Sequence, residues 1–248
     1  HGRRLFIDFE GAMIASEVFL NGRKLGEYDG GFTPFSFDLT DYLHLDGDNL
    51  LTVRLDSTER SDIPPYGNVV DYLTFGGIYR DVYLRYIEPC HIDNVFVRTT
   101  HVLGQHPKVQ YDVKLVNLPG SQLTLQTRLI DSSGAVLVEQ ERSITSVPAD
   151  SVLLDDIQLQ DLPPIYLWTL NEPHLYQLNL QVWQNGRLID EQTERFGFRE
   201  AHFDKDGNFY LNGQPLKLRG LNRHQTYPYI GAAAPARLQR KDAEIVKY

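Results

Sequence analysis

Apolar residues recur at every second position through most of the first two hundred residues. Arg4-Leu5-Phe6-Ile7-Asp8-Phe9, Glu17-Val18-Phe19-Leu20, residues 49–55 and residues 80–86 are stretches of this kind. They are rich in β-branched and aromatic side chains, which fit a pleated surface, and each predicts a short strand. Asn21-Gly22 separates Val18-Phe19-Leu20 from Lys24-Leu25-Gly26, and such a pair supplies the positive φ angles of a tight hairpin turn. The same pair returns at Asn185-Gly186 and Asn212-Gly213, predicting two more hairpins.

After Pro89 the pattern restarts, with strands predicted near 91–98, 109–116, 123–130, 136–141, 152–159 and 175–183. Asp131-Ser132-Ser133-Gly134 is a turn between two of them. Roughly seven strands, with turn signals about every eight to twelve residues, predict an immunoglobulin-like sandwich. The Cys–Trp–Cys core of an antibody domain is missing, so only the architecture is implied. Residues 1–88 form another all-β unit with few strands for a closed sandwich, which predicts an N-terminally incomplete one.

From Ala201 the pattern changes. Asp204-Lys205-Asp206-Gly207 and Asn212-Gly213 bracket a hairpin, and Pro215-Leu216-Lys217-Leu218-Arg219-Gly220-Leu221 reads as a nearly continuous buried strand. Beyond a Gly/Ala/Pro-rich loop, Leu238, Ile245 and Val246 fall at i, i+7 and i+8, predicting an amphipathic helix over 236–248. Strand, loop and helix make half of a β/α unit, and a parallel partner strand is missing from the pattern. The expectation is a chain interrupted inside a domain. Residues 220–230 gather an Asn, an Arg, a His, a Gln and two tyrosines around one proline, the polar and aromatic mixture that a sugar or other polyol needs at a site rim.

Composition narrows the classes. With 248 residues, 42% hydrophobic and 23% charged, the chain is of ordinary globular make-up and long enough for two cores. A formal charge of −9 without any Lys/Arg run argues against nucleic acid. The apolar runs are too short to span a membrane. One cysteine, Cys90, excludes an internal disulfide and is compatible with a bacterial cytoplasm as with other compartments. The eight histidines show no paired spacing, so no metal cluster is predicted.

Several motifs carry a resemblance. Phe196-Gly197-Phe198-Arg199, Tyr210-Leu211-Asn212-Gly213-Gln214-Pro215 and Leu218-Arg219-Gly220-Leu221-Asn222-Arg223-His224-Gln225 resemble the entry into the catalytic barrel of glycoside hydrolase family 2. Upstream, Phe32-Thr33-Pro34-Phe35 and Gly76-Gly77-Ile78-Tyr79-Arg80-Asp81-Val82 resemble its jelly-roll domain. The region from Leu167-Trp168 to Leu175-Tyr176 resembles the late strands of its immunoglobulin-like domain. Asn-Arg-His-Gln and Tyr-Pro-Tyr lean toward its β-galactosidase branch.

The resemblance implies a mainly β chain: a jelly-roll, galactose-binding-like β-sandwich over 1–88, an immunoglobulin-like β-sandwich over 89–199, and the first β/α unit of a truncated TIM barrel over 200–248. It implies a retaining β-glycosidase acting on terminal β-galactosides or related β-glycosides through two glutamates on later barrel strands, outside this chain. It allows a Mg or Na ion in the whole enzyme and leaves homo-oligomerisation open. Two other readings stand beside it, a non-catalytic carbohydrate-binding sandwich and a structural pair of sandwiches, neither of which needs the strand–loop–helix tail.

Candidate residues follow. Asn222, Arg223 and His224 come directly after the expected barrel strand and can hydrogen-bond sugar hydroxyls or orient a carboxylate. Tyr227 stands where some β-galactosidases carry a histidine; a tyrosine can donate or stack but carries no positive charge near neutral pH. Asp71, by resemblance, reaches the barrel mouth to touch sugar and a cation. The dipeptide Asn171-Glu172 matches the family's acid/base context, but its place before Pro173 in an all-β stretch predicts a turn. Asp155-Asp156 and the pair Asp204/Asp206 are carboxylate neighbours in turn-like stretches, where no catalytic role is expected.

Overall fold

The computed structural model describes residues 2–67, 72–104, 107–145, 151–154 (backbone only) and 164–247. Two compact units emerge, one of residues 3–87 with 221–248, the other of residues 88–220. In the first, β1 (Arg4–Phe9), β2 (Ala12–Met13), β3 (Ala15–Leu20), β4 (Arg23–Asp29), β5 (Phe35–Asp38), β6 (Leu51–Asp56), β7 (Gly77–Ile78) and β8 (Val82–Ile87) follow in order. Two three-stranded antiparallel sheets result, ordered β5-β1-β8 and β4-β3-β6, with β2 and β7 pairing separately. The alternation of β3, in which Ser16, Val18 and Leu20 are buried, turns one face inward. Val18 and Leu20 meet Ile7, Phe9 and Phe35 in one core, and Phe9 stacks on Phe35 at 4.8 Å. This is the jelly-roll sandwich, with more strands than the sequence pattern suggests.

Asn21 and Gly22 adopt φ of 52° and 80°, the left-handed pair that lets β3 turn directly into β4. Beneath β1, Asp8 is buried and accepts from Arg85 Nε at 2.8 Å and from the Ser36 hydroxyl. Burial pushes the Asp8 carboxyl up, but the hydrogen bonds from Arg85 and Ser36 outweigh it and hold the group below its ordinary range.

The second unit runs through β9 (His91–Thr100), β10 (Lys108–Val116), β11 (Leu123–Ile130), β12 (Val136–Ile144), β13 (Ser151–Leu154), β14 (Tyr176–Gln184) and β15 (Arg187–Phe196). A three-stranded sheet β13-β10-β9 and a four-stranded sheet β12-β11-β14-β15 make the seven-stranded immunoglobulin-like sandwich. Leu178, Leu180 and Val182 of β14 are wholly buried with Leu123, Leu125 and Leu129 of β11. Each such side chain contributes about 1.5–3 kcal/mol through removal from water. The strand expected over 152–159 is seen through Leu154; the remainder of that stretch, and the Asp155-Asp156 pair, lie outside the described residues.

β16 (Ala201–Phe203), β17 (Phe209–Leu211) and β18 (Gln214–Pro215) form a small antiparallel sheet turned at 204–207 and at Asn212-Gly213. The buried strand expected over 215–221 is not there. Residues 216–220 carry no strand, and Leu218 and Leu221 are 59% and 79% exposed. A parallel strand is made by its neighbours, and no strand among the described residues pairs with this segment. The helix half of the unit does form, as α1 (Ala236–Lys247), with Ile245 and Val246 exposed. Among the described residues no helix is long and apolar enough to cross a membrane.

Candidate sugar-binding cleft

Within the first unit, residues 221–235 return over the jelly roll and leave a cleft of about 500 Å³. On the sandwich side it is lined by Met13 of β2, Phe32 from the β4–β5 connection, and Tyr72 to Phe75 from the loop before β7. On the other side stand Asn222, Arg223, His224, Gln225 and Thr226. The His224 ring meets Tyr72 edge-on, with centroids 6.0 Å apart and planes at 63°.

A short turn sets the far end of this segment. Tyr227 and Gly231 exchange backbone hydrogen bonds at 3.0 Å in both directions, with Tyr229 at φ 71° and fully exposed at the tip. Gly231 is needed there twice over. Its φ is 55°, and a Cβ would come within 2.7 Å of the Phe75 ring. The tail therefore lies against the loop that carries Tyr72 and Phe75.

Arg223 is clamped rather than free. Its Nε donates to Asp242 Oδ2 of α1 at 2.7 Å, and its terminal nitrogen to the Tyr227 hydroxyl at 3.3 Å. The Tyr227 hydroxyl in turn donates to Asp242. Hydrogen bonds from Tyr227 and Arg223 hold the Asp242 carboxyl below its ordinary value, and contacts with Tyr227 and Asp242 raise the Arg223 guanidinium. Of the sequence candidates, Asn222, Arg223 and His224 line the cleft, and Tyr227 sits behind them in the Arg223–Asp242 link. Asp71 lies outside the described residues, next in sequence to the cleft residue Tyr72. The aromatic lining from Phe32, Tyr72 and Phe75 was not singled out from sequence; its signal was Tyr72 and Phe75 closely following Asp71 in one long loop.

The other carboxylates behave as turn formers. Glu172 exchanges bonds with Thr169, Thr169 N to Glu172 O at 3.0 Å and Glu172 N to Thr169 Oγ1 at 2.9 Å, and its side chain points to solvent. Asp204 accepts from the backbone nitrogens of Asp206 and Asn208 at 2.9 and 2.8 Å. The Cys90 thiol is buried and pushed up to about 11 by that burial and by Asp190, so it is no nucleophile at neutral pH. Among the described residues no three His, Cys, Asp or Glu groups converge on a point that could hold a metal ion. No carboxylate lines the cleft among those residues either.

The glycosyl hydrolases family 2 profile matches residues 90–199, and the profile of the family 2 sugar binding domain matches residues 2–89. The chain belongs to glycosyl hydrolases family 2. As a family 2 chain it is 38% identical over 248 residues to a β-galactosidase of Thermoanaerobacter pseudethanolicus, matching 100% of this chain and 33% of that protein. It is 42% identical over 246 residues to a β-galactosidase of Thermoanaerobacterium thermosulfurigenes, matching 98% of this chain and 34% of that protein. The fold superposes on the crystal structure of a Bacteroides uniformis β-glucuronidase with a TM-score of 0.90 at 28% identity, over 99% of this chain and 30% of that one. The chain thus spans about a third of the length of the curated relatives it matches.

Proposed function

We propose that this chain is the sugar-facing, non-catalytic part of a retaining β-glycosidase acting on terminal β-galactosides. In that reading residues 1–88 are the jelly-roll domain, 89–199 the immunoglobulin-like domain, and 200–248 the entry to the barrel. The reaction is a double displacement between two glutamates about 5–5.5 Å apart, both outside these 248 residues. What this chain supplies is recognition: hydrogen-bonding groups from Asn222 and His224, an apolar wall from Phe32, Tyr72 and Phe75, and the carboxylate of Asp71 as a further sugar contact. Arg223 and Tyr227 position that rim.

The observation that carries the reading is the make-up of the cleft lining, amides, an imidazole and aromatic rings with no carboxylate among the described residues. Such a surface can hold a polyol, and among the described residues it offers no carboxylate pair for a double displacement. The balance of charge favours a neutral galactoside over a glucuronide. Arg223, the one guanidinium in the lining, is already neutralised by Asp242. The 248-residue chain, titrated with methyl β-galactoside and methyl β-glucuronide, should bind the first more tightly and hydrolyse neither aryl derivative. Turnover that depends on a residue within this chain would overturn the assignment of both glutamates elsewhere, and preference for the glucuronide would overturn the substrate class.

A further inference from the structure

A second set of side chains, sharing no residue with the cleft, lies on the outer face of the four-stranded sheet β12-β11-β14-β15. The strand register places outward-facing polar residues in rows. One row runs Glu141, Gln126, Gln181, Glu191, and the next Glu139, Arg128, Asn179, Thr193. Thr124 and Trp183 oppose each other one step along. A merely solvated sheet face carries mobile, separately hydrated side chains. Here Gln126, Asn179 and Gln181 are only 8%, 7% and 9% exposed.

The network that buries them is directional. Asn179 and Gln181 donate to one oxygen of Glu191 at 2.7 and 2.9 Å. Trp183 Nε1 donates to Gln181 Oε1 at 3.2 Å, which fixes the indole plane. Gln126 spends its amide nitrogen on Glu139 and Glu141 at 3.1 and 3.0 Å. Its carbonyl Oε1 is left buried without a partner, a state that costs free energy until a donor arrives. Above that carbonyl lies a shallow, open depression bounded by Gln122, Thr124, Gln126, Arg128, Glu141 and Trp183.

We propose that this face of the immunoglobulin-like unit is a separate binding site for a neutral saccharide. The C–H face of a pyranose ring lies on the half-buried Trp183 indole. Its hydroxyls donate to the Glu141 carboxylate and accept from Gln122 and Arg128, above the buried Gln126 side chain. The charges select against acidic sugars. Glu139, Glu141 and Glu191 all face outward, and Arg128 is engaged by Glu139 at 2.8 Å. The site would hold the enzyme on an oligosaccharide independently of the cleft, so the proposal stands or falls separately from the one above.

The test uses the two indole N–H signals in the nitrogen-15 NMR spectrum of the 248-residue chain, from Trp168 and Trp183. Lactose should shift the Trp183 signal saturably, in the wild type and equally in H224A, whose substitution lies in the cleft. W183A should weaken this second lactose-binding event about tenfold, as loss of a stacked ring does. Q122A, at an exposed position that cannot disturb the core, should weaken it about threefold. Methyl β-glucuronide should leave the Trp183 signal in place. The proposal is overturned if lactose never moves that signal, whatever happens at the cleft, or if the glucuronide moves it equally. A shift that tracks protein concentration without sugar, with dimers in sedimentation, overturns it too, because the face would then be an interface with a second copy.

Discussion

Arg223 of the cleft rim rests on Asp242 of α1, with Nε 2.7 Å from Oδ2, so the helix tethers the loop that lines the cleft. Asp242 titrates from below its ordinary value of 3.8 because Tyr227 and Arg223 bond its ionised form. A carboxylate whose folded value is depressed stabilises at pH above its unfolded value and loses that contribution as pH falls through the folded value. The tether should therefore hold from neutral pH down to about 4 and release below it. D242N should loosen it at pH 7. Faster amide exchange over residues 222–231 with an unchanged melting temperature for the second unit is the expected result.

Asn222 and His224 are both expected to contribute to sugar affinity. N222A removes an amide that lines the cleft, and H224A also removes the ring that faces Tyr72. Each should weaken methyl β-galactoside binding about tenfold, near the cost of one lost hydrogen bond to a bound ligand. Y227F should act on loop order more than on contact, because the hydroxyl faces Asp242 and Arg223. Titration calorimetry of the three variants separates these outcomes.

Much of the architecture was legible because strands buried on one face betray themselves by alternation. Residues 4–9 and 123–130 were read to the residue, and the Asn-Gly pairs marked turns that adopt the required positive φ. β15 was not read from the pattern. In its sequence RLIDEQTERF the core-packed Ile189 and Phe196 are separated by the polar run 190–195, so no apolar alternation announces the strand. The segment 215–221 failed in the opposite direction. Apolar alternation there expresses a demand for neighbours that the described residues do not meet. The rim residues 222–224 were legible as chemistry, but Asp242 lies 19 positions from its partner Arg223, and the aromatic wall meets the rim only through tertiary folding, Tyr72 and His224 being 152 positions apart.

Asp8 is a test of buried charge in the jelly roll. It is 6% exposed, in β1, and paired diagonally with Arg85 of the neighbouring strand β8. D8N keeps the volume and a hydrogen-bond acceptor but removes the buried negative charge that faces the Arg85 guanidinium, and should destabilise the first unit by about 2 kcal/mol. The depressed Asp8 value adds a pH signature of known sign. Stability from this group is present above its unfolded value and is lost as pH falls through the lower folded value, so the gap between wild type and D8N should close in acid. Urea unfolding at pH 7 and pH 3 measures both quantities; an equal gap at the two values would show that the pair contributes by shape alone.

Gly231 probes whether the tail must lie against the jelly roll for the cleft to exist. A methyl group there would meet two Phe75 ring carbons at 2.7 Å, and φ of 55° is itself unfavourable for a side chain. G231A should therefore cost about 1–3 kcal/mol in docking of the tail, through overpacking against a ring that is part of the cleft wall. The two sandwiches have their own cores and do not depend on this contact, so their cooperative unfolding should be little changed. Sugar affinity should fall with the docked fraction, and F75A combined with G231A should recover part of the order of residues 222–231 by removing the clash. If G231A left both amide exchange and methyl β-galactoside binding at wild-type values, the cleft would owe nothing to this contact.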